Sequence, residues 1–322
     1  MITRKRSGNS SLTHKSFFTM ESKTVLITGI GGFFGGHLRQ VLLTHYPDWH
    51  VVGLDRGPVA DRGEVVVADL ADRQALAALM ASIAPDYVFH LAGVIYSSDW
   101  DQLFERNVRA TINLLDATES CSQPPRVVIP GSAAEYGWVS TEQMPLKESE
   151  PLTPMSPYGV AKAWQTTVAR SYLVKGCQVM IGRVFNVIGH GAPDRSSMGT
   201  FARQLRAIMR EGAPPSIRVG NLKARRDFVD IADACRALVA IATTGTTGEI
   251  YNICSGRSVA METLLTQMIE HVGVPVEVIV DPARLRAADV PDIYGSTEKI
   301  VRNTGWSPQV SLEACLRAML GA

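Results

Sequence analysis

Thr24-Val25-Leu26-Ile27-Thr28 runs directly into Gly29-Ile30-Gly31-Gly32-Phe33-Phe34-Gly35, and this join decides the fold. A short apolar, β-branched run ending in glycine predicts a strand buried on both faces. Leu38, Val41, Leu42 and His45 follow at helical spacing. Glycines at 29, 32 and 35, with Phe33 and Phe34 between the last two, permit a tight turn. They also let backbone N–H groups close on a pyrophosphate at the helix N-terminus. A glycine triplet is a weak signal by itself in a chain with 27 glycines. Its place between a strand and a helix is what makes it a dinucleotide site.

Outward from this join the alternation continues. Val51–Leu54 and Val65–Val67 read as the next two strands, and Gln74–Ala84 as a helix stopped by Pro85. Tyr87–His90 is a fourth strand. Val108, Ile112, Leu115 and Ala117 mark a further helix, and Val127–Ile129 is a fifth strand. Strands separated by helices of this length predict an α/β fold with a doubly wound parallel sheet of the Rossmann type. From about Asn186 glycine, proline and arginine become frequent, and the alternation is expected to lapse until Ile231. The expected division is a disordered tail over 1–20, a dinucleotide-binding domain over 21–183 plus 227–255, and a smaller C-terminal α/β substrate domain over 184–226 plus 256–322.

Composition narrows the partners. Lys plus Arg is 32 and Asp plus Glu is 31 in 322 residues, a net charge of +1. A nucleic-acid-binding protein would carry a strong basic excess, and membrane-surface attraction needs one too. No apolar run reaches the length of a transmembrane helix. The five cysteines, Cys121, Cys177, Cys235, Cys254 and Cys315, are odd in number and show no C-x-x-C spacing. That argues against a zinc or disulfide scaffold and for a cytoplasmic protein without a structural metal.

Candidate chemistry clusters after the strands. Asp55 closes the second strand, where a carboxylate accepts hydrogen bonds from adenosine ribose hydroxyls and repels a 2′-phosphate. This favours NAD(H); Arg56 beside it keeps NADP(H) open. Asp69, after the third strand, could reach the adenine amine or cap the next helix. Ser132 lies just beyond the fifth strand, where open parallel sheets bind ligands. Tyr158 and Lys162 stand at i and i+4 on one helix, with Pro157 at its start. A neighbouring ammonium and an oxidised nicotinamide would lower the phenol's pKa toward use as an acid–base group.

Together with Asp69-Leu70, His90-Leu91-Ala92-Gly93, Asn107-Val108, Arg183-Val184-Phe185-Asn186 and Arg226-Asp227-Phe228-Val229-Asp230, these motifs resemble the extended short-chain dehydrogenases/reductases, the NAD-dependent epimerase/dehydratase family. The resemblance spans Ser22 to Leu320. Later stretches, among them Tyr251–Gly256 and Asp281–Arg286, are similar to those of GDP-mannose 4,6-dehydratases and closer still to GDP-4-keto-6-deoxy-mannose reductases. It implies that Gly29, Gly32 and Gly35 hold the cofactor pyrophosphate, and that Asp55 and Asp69 meet the adenosine half. Leu70, Leu91, Ala92, Gly93 and Asn107 would line the same cofactor. Tyr158 would move the proton, Lys162 would hold the nicotinamide ribose, and Ser132 would polarise the sugar carbonyl. Asn186, Arg226 and Arg286 would hold a nucleotide-diphosphate sugar, the arginines bracketing its diphosphate.

The resemblance also bears on the reaction. A dehydratase carries a Glu two residues after the catalytic Ser or Thr; here that residue is Ala134, and Glu135 comes one place later. The expectation is therefore a 4-keto reductase acting on a GDP-linked 6-deoxy-hexulose. A nucleotide-sugar 4-epimerase is the first alternative, and a cofactor-binding scaffold without chemistry a lesser one. Family members commonly pair as homodimers through two helices, here near Asp101–Cys121 and Pro157–Tyr172, with Ala161, Trp164 and Val168 as a candidate buried stripe.

Overall fold

The structure, a computed structural model, describes residues 22–285 and 290–321. The tail expected over 1–20 and Arg286 fall outside these residues. The chain starts with β1 (Thr24–Thr28), α1 (Phe33–His45), β2 (His50–Asp55), β3 (Glu64–Val67), α2 (Arg73–Ile83) and β4 (Tyr87–His90). A helical run follows, α3 (Trp100–Leu103) passing through a π-helical stretch at Phe104–Arg109 into α4 (Ala110–Thr118). Then come β5 (Arg126–Ser132), α5 (Pro157–Ser171) and β6 (Gln178–Val184).

These strands, with β10 (Ile250–Ile253), form one seven-stranded sheet in the order β3-β2-β1-β4-β5-β6-β10, parallel throughout. The order reverses at β1, which places the glycine loop at the switch point of a doubly wound sheet. Each face carries its own apolar layer. Val25, Ile27, Leu38, Phe89 and Leu238 belong to one, with α1 and α7 (Ile231–Thr244). Leu26, Leu54, Leu76, Leu114 and Val127 belong to the other, with α2 and α4. Adjacent residues of β1 alternate between the two layers, which is why its sequence reads as a continuous apolar run.

Residues 185–230 are more regular than their composition suggests. They hold β7 (Asn186–Ile188), α6 (Ser197–Glu211), β8 (Ser216–Val219) and β9 (Arg225–Asp230). The expected lapse in alternation is thus corrected. In α6, Met198, Phe201, Ala202 and Leu205 are buried at i, i+3, i+4 and i+7, with Ser196 capping Gly199 N–H and Gly212 closing the helix in the left-handed region. The remaining elements are β11 (Ser258–Ala260), α8 (Met261–Glu270), β12 (Glu277–Val280), β13 (Asp292–Ile293), α9 (Glu298–Thr304) and α10 (Leu312–Leu320). β9 is flanked by β11 and β13 and also pairs with β7, while β8 pairs with β12. α6, α8 and α10 close a separate apolar core around Phe201, Leu205, Leu264 and Leu316.

One carboxylate ties these parts together. Asp227, fully buried on β9, accepts from Ser255 N–H and hydroxyl at 2.6 and 2.7 Å, from Gly256 N–H at 3.0 Å and from Gly295 N–H at 3.3 Å. Asp227→Ala would orphan four donors at once. It should lower unfolding free energy by about 3 kcal/mol or more, read as a lower denaturation midpoint in urea.

Candidate active site

The glycine loop is shaped by what its missing side chains admit. Gly29 has φ +71°, and a Cβ there would sit 2.9 Å from the Ala92 backbone. A Cβ on Gly35 would lie 2.7 Å from Ile30 Cα. The loop and the strand end carrying Leu91, Ala92 and Gly93 are therefore in backbone contact. Gly32 is the N-cap of α1 and no side chain caps that helix. Its first N–H groups are left for an anion, which fits a pyrophosphate at Gly32, Phe33, Phe34 and Gly35.

Asp55 accepts from Gly31 N–H at 2.9 Å and from Arg56 N–H at 2.8 Å, so its carboxylate is braced against this loop at the end of β2. Asp69 does not cap α2; Asp72 does, accepting from Ala75 N–H. Asp69 instead accepts from Ala71 N–H at 2.9 Å and pairs with Arg106 at 3.3 Å. The backbone hydrogen bond and the Arg106 charge hold its carboxyl below the usual range. Leu70 is buried, its carbonyl taken by Asn113 Nδ2 at 2.8 Å. Asn107 is buried and clamps the loop after β4, accepting from Val94 N–H at 2.9 Å and donating to Val94 O at 3.0 Å.

The structure brings Tyr158 and Ser132 together: Ser132 stands at the end of β5 and its side chain hydrogen-bonds the phenol. In the chain alone, burial pushes the phenol up to about 12, opposed by Ser132 and reinforced by Glu135 and Tyr96. Lys162 is buried, donates to Pro130 O at 2.6 Å, and also donates to Gln165 Oε1. Burial pulls its amine down to about 8 against the raising effect of Glu135.

The buried face of α5 is Ala161, Lys162, Gln165, Thr166 and Ala169. Of the candidate pairing stripe, Ala161 is buried within the chain and Trp164 is 46% exposed, while Lys162, Gln165 and Thr166 point inward. The sequence assigned no structural role to several members of this polar interior. Glu135, fully buried, accepts from Ser132 N–H at 2.7 Å, Thr166 hydroxyl at 3.1 Å, and Arg183 Nη2 and Nε at 3.0 and 3.2 Å. His90, equally buried, lies between Thr28 and Thr111 at 2.9 and 3.0 Å. The i+3 spacing from Lys162 was the one signal that could have found Gln165.

On β7, Asn186 donates to Asp227 O at 2.9 Å. Arg226 is half-buried and donates to Arg225 O and Val290 O, both at 2.7 Å. Its guanidinium is thus anchored on the backbone at Arg225 and Val290.

A glycine turn at the sheet's switch point and a serine–tyrosine hydroxyl pair backed by a buried lysine define a short-chain dehydrogenase/reductase architecture. The chain matches the NAD dependent epimerase/dehydratase family model over residues 25–254 and belongs to that family. It is 30% identical over 305 residues to the GDP-6-deoxy-D-mannose reductase of Pseudomonas aeruginosa, covering 93% of this chain and 96% of the relative. It is 29% identical to the dTDP-6-deoxy-L-talose 4-dehydrogenase (NAD(P)(+)) of Kitasatospora kifunensis, covering 92% and 94%. The solved structure of RMD from Pseudomonas aeruginosa complexed with NADPH superposes with a TM-score of 0.84 at 28% identity, covering 93% of this chain and 98% of that one. No helix among the described residues is long and apolar enough to cross a membrane.

Burial and the Lys162 charge push His90 from the ordinary 6.5 down to about 3, so it stays neutral in the fold. The unfolded imidazole binds its proton near pH 6.5, the folded one only near 3. Stability must then fall as pH drops through that window, by at most about 1.4 kcal/mol per pH unit from this group. Thermal melts between pH 4.5 and 7.5 should show a shallower acid limb for His90→Gln than for the parent, with a lower melting temperature at pH 7.5.

Proposed function

We propose that this chain reduces the 4-keto group of a GDP-linked 6-deoxy-hexulose with NAD(P)H. The observation that carries the choice of reaction is the state of Glu135. Dehydration needs a carboxylate free to take the C5 proton. Ala134 stands where such a carboxylate would be, and the adjacent Glu135 is buried in an ion pair with Arg183. Reduction needs only what faces the cleft, a hydroxyl pair and a buried ammonium.

Held at the glycine loop by Gly29, Gly32 and Gly35, a reduced nicotinamide cofactor would supply hydride chemistry at C4. Tyr158 delivers the proton to the forming alkoxide, and Ser132 holds that oxygen by hydrogen bond. Lys162 holds the nicotinamide ribose, and Asn186 with Arg226 contacts the sugar nucleotide. A guanidinium suits a diphosphate because it offers paired, planar donors; Arg286 is assigned the same role. Residues 184–226 and 256–322 serve as the nucleotide-sugar side of the cleft and 21–183 with 227–255 as the cofactor side. Asp55 favours NAD(H), and Arg56 is the feature by which NADP(H) would be accepted.

Stoichiometric cofactor oxidation with GDP-4-keto-6-deoxy-mannose, run with NADH and NADPH in parallel, tests this reading. A GDP-6-deoxy sugar product supports it. Protein purified with cofactor already bound, and no net oxidation, points to an epimerase instead. Tyr158→Phe should lower kcat by about 10²–10⁴-fold, and Ser132→Ala by about 10²–10³-fold.

The same reading includes a homodimer. Trp100 and Trp164 are 49% and 46% exposed, their rings 6.2 Å apart, with Phe104 6.1 Å from Trp164. A second copy covering this aromatic patch is the occupant expected for a helix-paired dimer. Sedimentation should give a dimer for the parent chain and a monomer for Trp164→Glu.

A further inference from the structure

We propose that Gln165 is a positioning residue for Lys162: its amide, anchored through Thr111 to His90, directs the ammonium's one uncommitted N–H into the cleft. The inference rests on the reading of Lys162 as the group that holds the cofactor ribose.

The hydrogen bonds leave little freedom in how the network is drawn. An ammonium has three N–H donors and no acceptor. Pro130 O and Gln165 Oε1 take two of them. Because lysine only donates, the Gln165 oxygen must face it, and Gln165 Nε2 faces the Thr111 hydroxyl oxygen at 2.7 Å. Thr111 donates to Asn107 O at 2.6 Å, so its oxygen accepts from both Gln165 and His90 Nε2. His90 Nδ1 is then an acceptor and receives the Thr28 hydroxyl proton, while the Thr28 oxygen receives Ala92 N–H at 3.2 Å. Every donor in this series has one receiver, from the loop after β4 to the ammonium on α5. Thr28, His90, Thr111 and Gln165 are all 2% exposed or less. A charged His90 would break the series, since Thr28 would lose its acceptor.

Other ionisable groups around Lys162 act on it without aiming it. Glu135, in the turn after β5, favours the ammonium by charge, but its carboxylate is committed to Ser132, Thr166 and Arg183. His90 on β4 is neutral, and Tyr158 on α5 itself is bonded to Ser132. Gln165 is the side chain that fixes the direction of the amine.

The test is reduced-cofactor binding to the full chain, followed by cofactor fluorescence from pH 6 to 9.5, with kcat/KM measured alongside. Parent affinity should fall through about pH 8, where Lys162 loses its proton. Gln165→Leu should move that midpoint down by about one unit, about threefold weaker binding at pH 7.5, and Gln165→Glu should move it up. Thr111→Val, nearly isosteric, should shift it in the direction of Gln165→Leu, and Thr111→Ser should restore it. Parent-like midpoints in Gln165→Leu and Thr111→Val overturn the proposal, as does a parent profile that is flat in pH. Should Gln165→Leu fail to fold, the Thr111 pair decides alone. Normal cofactor binding without turnover of the keto-sugar would sink the reductase reading and leave this result standing.

Discussion

An ammonium inside a protein has to be surrounded by oxygen, and the interior of this protein is arranged around meeting that condition at Lys162. β5 keeps its ladder with β6 as far as Ser132, while its pairing with β4 stops at Val128. The Pro130 carbonyl is thereby available to a group arriving from α5. A proline so deep in a central strand would normally cost a ladder hydrogen bond; beyond the end of β4 it costs little. The same constraint explains why α5 buries Gln165 and Thr166 rather than an apolar stripe. Each polar side chain on that face satisfies another: Gln165 the lysine, Thr166 the carboxylate of Glu135.

Glu135 is a buried acid whose hydrogen-bond donors all come from this chain. Its carboxylate receives two bonds from the Arg183 guanidinium, which itself lies over the Tyr136 ring with 4.5 Å to the centroid. A carboxylate so held is committed to partners within the chain. It braces the backbone of Ser132 instead, through the 2.7 Å bond to its N–H. The acid group next to Ser132 thus contributes rigidity to the end of β5.

The fold was legible wherever period and punctuation agreed. β1 and its glycines, the alternating strands through β5, and the Tyr158–Lys162 spacing all appear in the structure where local pattern puts them. The region after Asn186 was obscured because arginine, glycine and proline dilute a helical stripe that is nevertheless present at Met198, Phe201, Ala202 and Leu205. Spacing picked out Tyr158 and Lys162 on α5 and missed the polar side chains packed behind them. Thr28, Thr111, Gln165 and Arg183 are polar residues inside apolar-looking elements, and their partners are up to 64 positions away, as Ala92 is from Thr28. No local period encodes such pairings. Asp69 failed as a cap for a simpler reason: Asp72, three residues on, holds the first turn of α2.

The last strand of the parallel sheet comes late. β6 ends at Val184 and β10, its outer neighbour, begins at Ile250, so about 65 residues must be synthesised between them. At ribosomal rates of about 5–20 residues per second, the hydrogen-bonding edge of β6 stays open for roughly 3–13 s. That edge carries Met180, Ile181 and Val184, all buried once β10 is in place. An open apolar edge is a template for pairing with another chain. The nascent protein is therefore most vulnerable to misassembly while its second lobe is being made, and chaperone demand should peak before residue 253 leaves the exit tunnel.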